Sequence, residues 1–556
     1  MSLIGRLTIA AVCVVSGLFV GGAAMASEPA DTIFVHGTIA TMDPARPWAD
    51  AMAIRKGRIV SLGKDVDGFR GPHTKVIDLG GRFVMPGFHD AHAHPMSSGM
   101  QLLRCRVAGN SAQVTGALKA CDRERRNEQW LIASGWVPRT APADLARLDA
   151  LVPDKPAFVA TQDGFTAWVN TKALRAAGID PRAAQVTGLE RDAKTRVATG
   201  VVTGDALDRV RAARPVPSSA EYRAAFAAWS AMANRFGVVS VFDASITPAM
   251  AEAYHAADRA GALTLRVVGA QNVDTARGVE QIPAMIALRD RVRGPMFNAD
   301  AAKIFLDGEI EMHTAAVLAD YADLPGSRGA MLVSPARLDV LVQRLDRAGF
   351  MIHMHAMGDA AVRHGLDAIA RAERANGPRD RRHQLAHLAL VDPADVPRFA
   401  QLGVTANFQP LWFQADDPAT AGTDHALTPR LRQSLYPIAR IAAAHARIVA
   451  SSDWPSTSIN PLEAIQAAIT RQPLDGSKPA RQPDQRMTLA AMLAAYTRDA
   501  AWVAGEDRND GTQAVGKAAD LIVLDRNLFQ VKSGDLRTAR VLLTMLNGRE
   551  VYRSGI

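Results

Sequence analysis

Met85–Pro95 reads "MPGFHDAHAHP" and places His89, His92 and His94 within a few positions of one another, directly after the apolar run "RFVMPGF". An apolar run that ends in imidazoles is a strand delivering polar groups to one place. His92 and His94 are two apart, so in an extended chain they point the same way. Two same-side imidazoles can bind one borderline metal such as Zn²⁺. A bare HxH constrains little by itself, so its meaning depends on what else the fold brings to it.

Working outward, the middle of the chain alternates apolar strands with stretches of helical period, such as "AEYRAAFAAWSAMANRFG". The strands are "RFVMPGF", "VVSVFDA", "LTLRVVGA", "AAKIFL", "FMIHMHA", "HQLAHLAL", "VTANFQ" and "RIVASS". Eight strands with helices between them read as an α/β fold, a (β/α)8 TIM barrel. The gap between the first and second strands, about residues 104–230, far exceeds the roughly 30 residues of a plain βα unit, so it is expected to hold an inserted subdomain. Short strands and turns at residues 27–85 ("TIFVHGTIATMD", "TKVIDLGG") are matched at 510–556 ("GKAADLIVLD", "RVLLTMLNGREVYR"). The two ends are expected to pair into one small composite β-sandwich flanking a barrel over 86–509.

In such a barrel chemistry sits at the C-terminal ends of the strands. The first strand ends in His92 and His94, the fourth carries Lys303, the fifth His353 and His355, the sixth His383 and His387, and the eighth runs into Asp453. Imidazoles, a lysine and a carboxylate thus converge on one face, and the metal reading becomes dominant.

The ordered series "PGFHDAHAH", "KIFLDG", "HAMGD", "AH", "SSDWP" and "GKAADLIVLD" resembles the metal-dependent amidohydrolase superfamily, and within it the YtcJ-like branch that includes N-substituted formamide deformylases. The resemblance implies metal ligation by His92, His94, Lys303, His355, His387 and Asp453. It also implies two divalent ions, zinc by expectation, bridged by a carbamylated Lys303. An ammonium beside two divalent cations is strongly disfavoured, whereas a carbamate is an anionic ligand. Asp453 is then also the catalytic proton carrier. His89, His353 and His383 are expected to pack near the ligands or orient them; His36, His73, His255, His364, His425 and His445 are expected to be ordinary surface or core residues. Two positions depart from the branch: Phe165 stands in "DGFTAWVN" where relatives carry a histidine, and Ala386 stands in "QLAH" where they carry a glutamate. Phe165, Trp168 and Trp412 are candidate apolar walls for a small-molecule substrate.

The remaining features set boundaries. Residues 1–26 hold one basic residue, Arg6, then an unbroken small and apolar run ending Ala24-Met25-Ala26, the pattern of a cleaved secretory signal. The mature chain is expected to begin at Ser27, to be periplasmic, and to have no stable membrane insertion. The net charge of +8 comes from Lys and Arg scattered among acids, so no nucleic-acid partner is expected. Cys105 and Cys121 remain after export, and their pairing stays open, as does a homo-oligomer. There is no G-x-S-x-G elbow, HExxH helix or P-loop. The leading function is metal-dependent hydrolysis of a non-peptide C–N bond. The alternatives are an esterase, lactonase or isomerase on the same site, or a non-catalytic periplasmic metal- or ligand-binding protein.

Overall fold

Eight parallel strands carry the candidate residues: β1 (Phe88–Ala93), β2 (Val238–Ile246), β3 (Arg266–Asn272), β4 (Phe297–Phe305), β5 (Met351–Ala356), β6 (Gln384–His387), β7 (Thr405–Phe408) and β8 (Ile448–Ala450). They lie in sequence order from β1 to β8 within one sheet. Just beyond the strand ends the sheet closes into a barrel, with the Asp453 amide donating to the His92 carbonyl at 2.8 Å and the His94 amide to the Trp454 carbonyl at 3.0 Å. This computed structural model describes residues 28–161, 164, 166–183, 186–414 and 421–556. The segment expected to be a signal, 1–26, lies outside the described residues. Among those described, no helix is long and apolar enough to cross a membrane.

The run "RFVMPGF" is not one barrel strand. Phe83–Pro86 pairs antiparallel with Leu521–Leu524, and β1 begins only after Gly87. A Cβ at Gly87 would sit 2.4 Å from a Val239 methyl, so only glycine lets the chain cross from one sheet to the other so close to β2. The sheet that takes Phe83–Pro86 has six strands drawn from both ends of the chain, and a second sheet of four holds Thr32–Val35 at its interior. Phe34, Ile54, Val84, Leu521 and Leu543 from the two sheets share one apolar core, which makes the pair a sandwich.

Between β1 and β2 the chain builds helix Pro95–Leu103 and then a six-stranded sheet running from Cys105–Arg106 to Ala198–Val202. Cys105 and Cys121 are joined by a disulfide within it, their Cα atoms 6.0 Å apart. The insertion ends earlier than the expected residue 230. Helix Ser219–Arg235 opens with a Ser218/Glu221 capping box and buries Tyr222, Phe226, Trp229 and Ala233 at helical spacing. It packs so tightly on Pro95–Leu103 that a Cβ at Gly99 would lie 3.0 Å from the Ala225 carbonyl oxygen. It is therefore a barrel helix.

Beneath the strand ends the barrel is filled by small and medium apolar side chains, Ala91, Phe242, Val268, Ala270, Ala301 and Val449, joined by Val503 and Ala504 from the segment around helix Arg498–Val503. The sandwich is fastened to the barrel by buried polar contacts. Arg266 on β3 donates from Nε to Asp520 at 2.8 Å and from Nη2 to Asn547 at 2.6 Å, and the Asn547 amide returns to Asp520 at 2.5 Å. Arg266→Met leaves the Asp520 carboxylate buried without its counter-charge. It should lower stability by about 3–5 kcal/mol, seen as an earlier urea midpoint by circular dichroism.

Candidate metal centre

Strand parity explains most of the site. On β4, Ala301 faces the barrel interior, so Lys303 and Phe305 do too. In the ladder to β5, Lys303 stands beside His353 and Phe305 beside His355, so both histidines also point inward. His387 does not follow this rule. It is in register with Ala356, and Leu385 on the same side of β6 packs outward against Gly365 of helix Asp359–Asn376. By alternation His387 would face away. Its backbone instead takes φ 80°, which re-aims the ring at the strand end, and the Leu388 amide bonded to the Ala356 carbonyl at 3.0 Å holds that turn. Asp453 is also left-handed, at φ 48°. Two side chains of one site thus depend on a backbone conformation that costs energy outside glycine.

The centre is compact. His92 Nε2 lies 3.3 Å and His94 Nε2 3.2 Å from Asp453 Oδ1, and the three ligand-type atoms fall within 4.8 Å of one another. The His387 ring is 4.8 Å from that of His92 and 4.5 Å from that of His355. Lys303 is fully buried. His92 Nε2, Asp453 Oδ1 and Lys303 Nζ are buried with no hydrogen-bond partner, a costly state for polar atoms. Imidazole nitrogens and a carboxylate oxygen that face one another without a shared proton fit a divalent cation.

Electrostatics keeps these groups ready. Burial, with Lys303 and neighbouring imidazoles adding to it, pushes His92 well below the usual histidine range and His355 to about 3; burial and the neighbouring His355 do the same for His387. All three are neutral at pH 7, with a lone pair to give. Burial alone would raise Asp453, but the neighbouring His94, with His387 and Lys303, outweighs it and holds the carboxyl below its ordinary value. Burial brings the Lys303 amine down to about 7.

Outer contacts fix the rings. His387 Nδ1 meets Gln409 Oε1 at 2.9 Å. Gln409 Nε2 donates to Ser451 at 2.8 Å, so Oε1 accepts and His387 Nδ1 carries the proton, which leaves Nε2 free. His353 Nε2 bonds His92 Nδ1 at 2.9 Å while its ring stacks on Phe242 at 5.0 Å, so this histidine orients His92. The other two are buried packing residues that bond to no candidate ligand among the described residues. His89 bonds Asp510 at 2.8 Å and ties β1 to the segment entering the sandwich. His383 bonds Asp346 at 3.1 Å and accepts from the Ile352 amide at 3.0 Å, so it anchors β5 and a helix at the far side of the barrel.

The cavity above the centre has a volume of about 430 Å³ and includes Trp412, Tyr436, Phe305, Glu309 and Glu311 in its wall. Trp412 stacks on His387, ring centres 5.4 Å apart. Trp168 does not reach the cavity: it is fully buried in the inserted sheet beside Trp136, 6.0 Å between ring centres, and is a core residue. Phe165 lies outside the described residues. Ala386 is buried in register with His355.

Sequence reasoning missed the acids around the centre. Asp90 accepts from the Ser452 hydroxyl at 2.5 Å and the Ser452 amide at 3.0 Å, which pins β1 to β8; burial lifts its carboxyl to about 6. Asp307 accepts from the amides of Ala316, Met357 and Gly358 and so fastens the loop after β4 to that after β5. Glu309 comes within 3.9 Å of His355, and burial, with Glu311 and Asp307 nearby, raises its carboxyl well above the usual range. The alternating acids in "LDGEIE" directly after Lys303 were the available signal.

Known proteins resemble this chain along nearly its whole length. The chain is 29% identical to Protein LONG AFTER FAR-RED 3 of Arabidopsis thaliana, covering 94% of this chain and 92% of that one. It is 25% identical to the N-substituted formamide deformylase of Arthrobacter pascens, covering 93% and 97%. A solved metal-dependent hydrolase of Pyrococcus horikoshii matches the fold with a TM-score of 0.75 at 22% identity, over 90% of this chain and 99% of that chain. Residues 75–552 match the model of the amidohydrolase family, and with the strand-end histidines, lysine and aspartate gathered in one barrel mouth, this chain belongs to that family.

Proposed function

We propose that this enzyme hydrolyses a non-peptide C–N bond in a small amide, formamide or cyclic amide. The observation that carries the reading is the meeting of His92 Nε2, Asp453 Oδ1 and Lys303 Nζ, all buried and unpartnered, at the floor of one cavity. The likeness to a formamide deformylase over nearly the whole chain supports the bond class, and a cavity of about 430 Å³ suits a small ligand.

His92, His94 and Asp453 would hold one divalent ion and His355 and His387 a second, with Lys303 as the bridge and zinc as the metal. The Lys303 amine, held at about 7, is about half uncharged at neutral pH, and the neutral form can add to carbon dioxide, forming an N–C bond and releasing a proton; the product is an anionic carbamate. When bound, the metal supplies Lewis acidity that acidifies a water and polarises the scissile carbonyl. Asp453 accepts the proton of the attacking water and returns it to the leaving nitrogen. Trp412, stacked on His387, walls the apolar part of the substrate. Export to the periplasm, with the mature chain starting at Ser27, completes the proposal.

Elemental analysis of the purified protein should give two ions per chain; none would refute the reading, and a single ion beside an unmodified Lys303 would reduce it to a mononuclear enzyme. Asp453→Asn keeps an oxygen but cannot take the proton, so turnover should fall by about a hundredfold or more while metal is only partly lost. His92→Ala should lose metal and activity together. Turnover by Asp453→Asn near the parent rate with metal retained means that another residue is the base. Gln409→Leu releases the tautomer of His387 and should weaken metal binding by about 10–100-fold in a chelator titration.

A further inference from the structure

A second cleft of about 310 Å³ lies between the inserted sheet and helix Pro95–Leu103. Its walls include Met100, Ile132, Phe158 and Met250, with Ser98 and Ser134 also lining it. Three arginines line it, Arg104, Arg211 and Arg214. Arg104 has Glu221 at 3.5 Å and Arg211 has Asp208 at 3.2 Å. Arg214 forms no ion pair among the described residues. Its Nε is buried without a hydrogen-bond partner, and its guanidinium carbon lies over Phe158, 4.4 Å from the ring centre.

We propose that this cleft binds a carboxylate carried on an apolar body, with the Arg214 guanidinium as its counter-charge. A partly buried guanidinium without an anion, beside two more cations, is an unfavourable arrangement unless a ligand completes it. The planar fork of arginine matches a carboxylate, and the cation–π contact with Phe158 holds the guanidinium in the cleft. Burial, with Arg211 and Arg104 next to it, already brings Arg214 down to about 10, and an anion would reverse that. The cleft adjoins the metal centre, since Ser98 lines both cavities and its amide bonds the His94 carbonyl at 3.0 Å. The carboxylate can therefore belong to the substrate of the barrel site, a use that rests on the hydrolase reading, or to a separate small acid.

The probe is 4-phenylbutyrate, with its uncharged amide as control, titrated calorimetrically into the full-length mature protein. The acid should bind at least tenfold more tightly than the amide. Arg214→Met should remove that preference, and Arg214→Lys, which keeps the charge but not the fork, should keep only part of it with an unchanged thermal midpoint. The same preference in His92→Ala, which lacks the metal, shows that the site stands even if the hydrolase reading falls. Competitive inhibition of amide turnover by the acid assigns the carboxylate to the substrate, and a change in kcat assigns it to a separate acid. Equal binding of acid and amide, no binding of either, or an unaltered preference in Arg214→Met would overturn the proposal.

Discussion

The seam between β1 and β8 is the constraint on which the site depends. Of the two hydrogen bonds that close the barrel, the one from the Asp453 amide to the His92 carbonyl also brings a carboxylate to within 3.3 Å of the His92 imidazole. Asp90 reinforces the join from the other side by taking both donors of Ser452. Because the backbone contacts hold the strands together, Asp453 Oδ1 and His92 Nε2 meet with no proton to share. Each is a buried polar atom without a hydrogen-bond partner, which is a costly state. A cation that binds only the folded state returns that energy as stability.

Rigidity around the seam keeps this arrangement from relaxing. An apolar layer from Ala91, Phe242, Val268 and Val449 lies below it, and Phe242 also carries the ring of His353, which holds His92. The path from barrel core to candidate ligand is therefore two contacts long, each made by a side chain on a strand. Rings fixed in this way lose little freedom when a metal arrives, which favours binding and geometry alike. The sandwich contributes at a distance: Arg266 and His89 fasten β3 and β1 to Asp520 and Asp510.

The barrel, the composite sandwich and the mouth of the site were readable because parity and strand order decide them. Lys303 and His355 face inward by simple alternation. His387 did not follow from periodicity, since alternation sends it outward and only its left-handed backbone brings it back; the resemblance supplied it. Proximity in sequence could not sort His353 from His89 and His383, which lie near candidate ligands along the chain but bond acids elsewhere in the fold. Trp168 and Trp412 look alike as letters, and only tertiary packing separates a core ring from a wall ring. Glu309 escaped notice because a loop has no period from which to infer direction. The run "RFVMPGF" concealed a change of sheet, marked only by Gly87.

Helix Pro95–Leu103 gives the inserted sheet a physical connection to the barrel chemistry. Its N-terminal flank is His94, beside Asp453, and its C-terminal flank is Arg104, in the second cleft. Ser98 is four residues beyond His94, about 6 Å along a helix axis, so the wall of the cleft begins within the length of a small molecule from the metal ligands. Helix Ser219–Arg235 locks this element against the barrel through the Gly99–Ala225 contact. The insertion therefore adds a cationic, partly apolar wall at a fixed distance from the candidate metal centre. A fixed separation between two charged anchors selects ligands by length as well as by charge, because a ligand that is too short must leave one anchor unsatisfied. The barrel can then keep one chemistry while the insertion decides which molecules reach it.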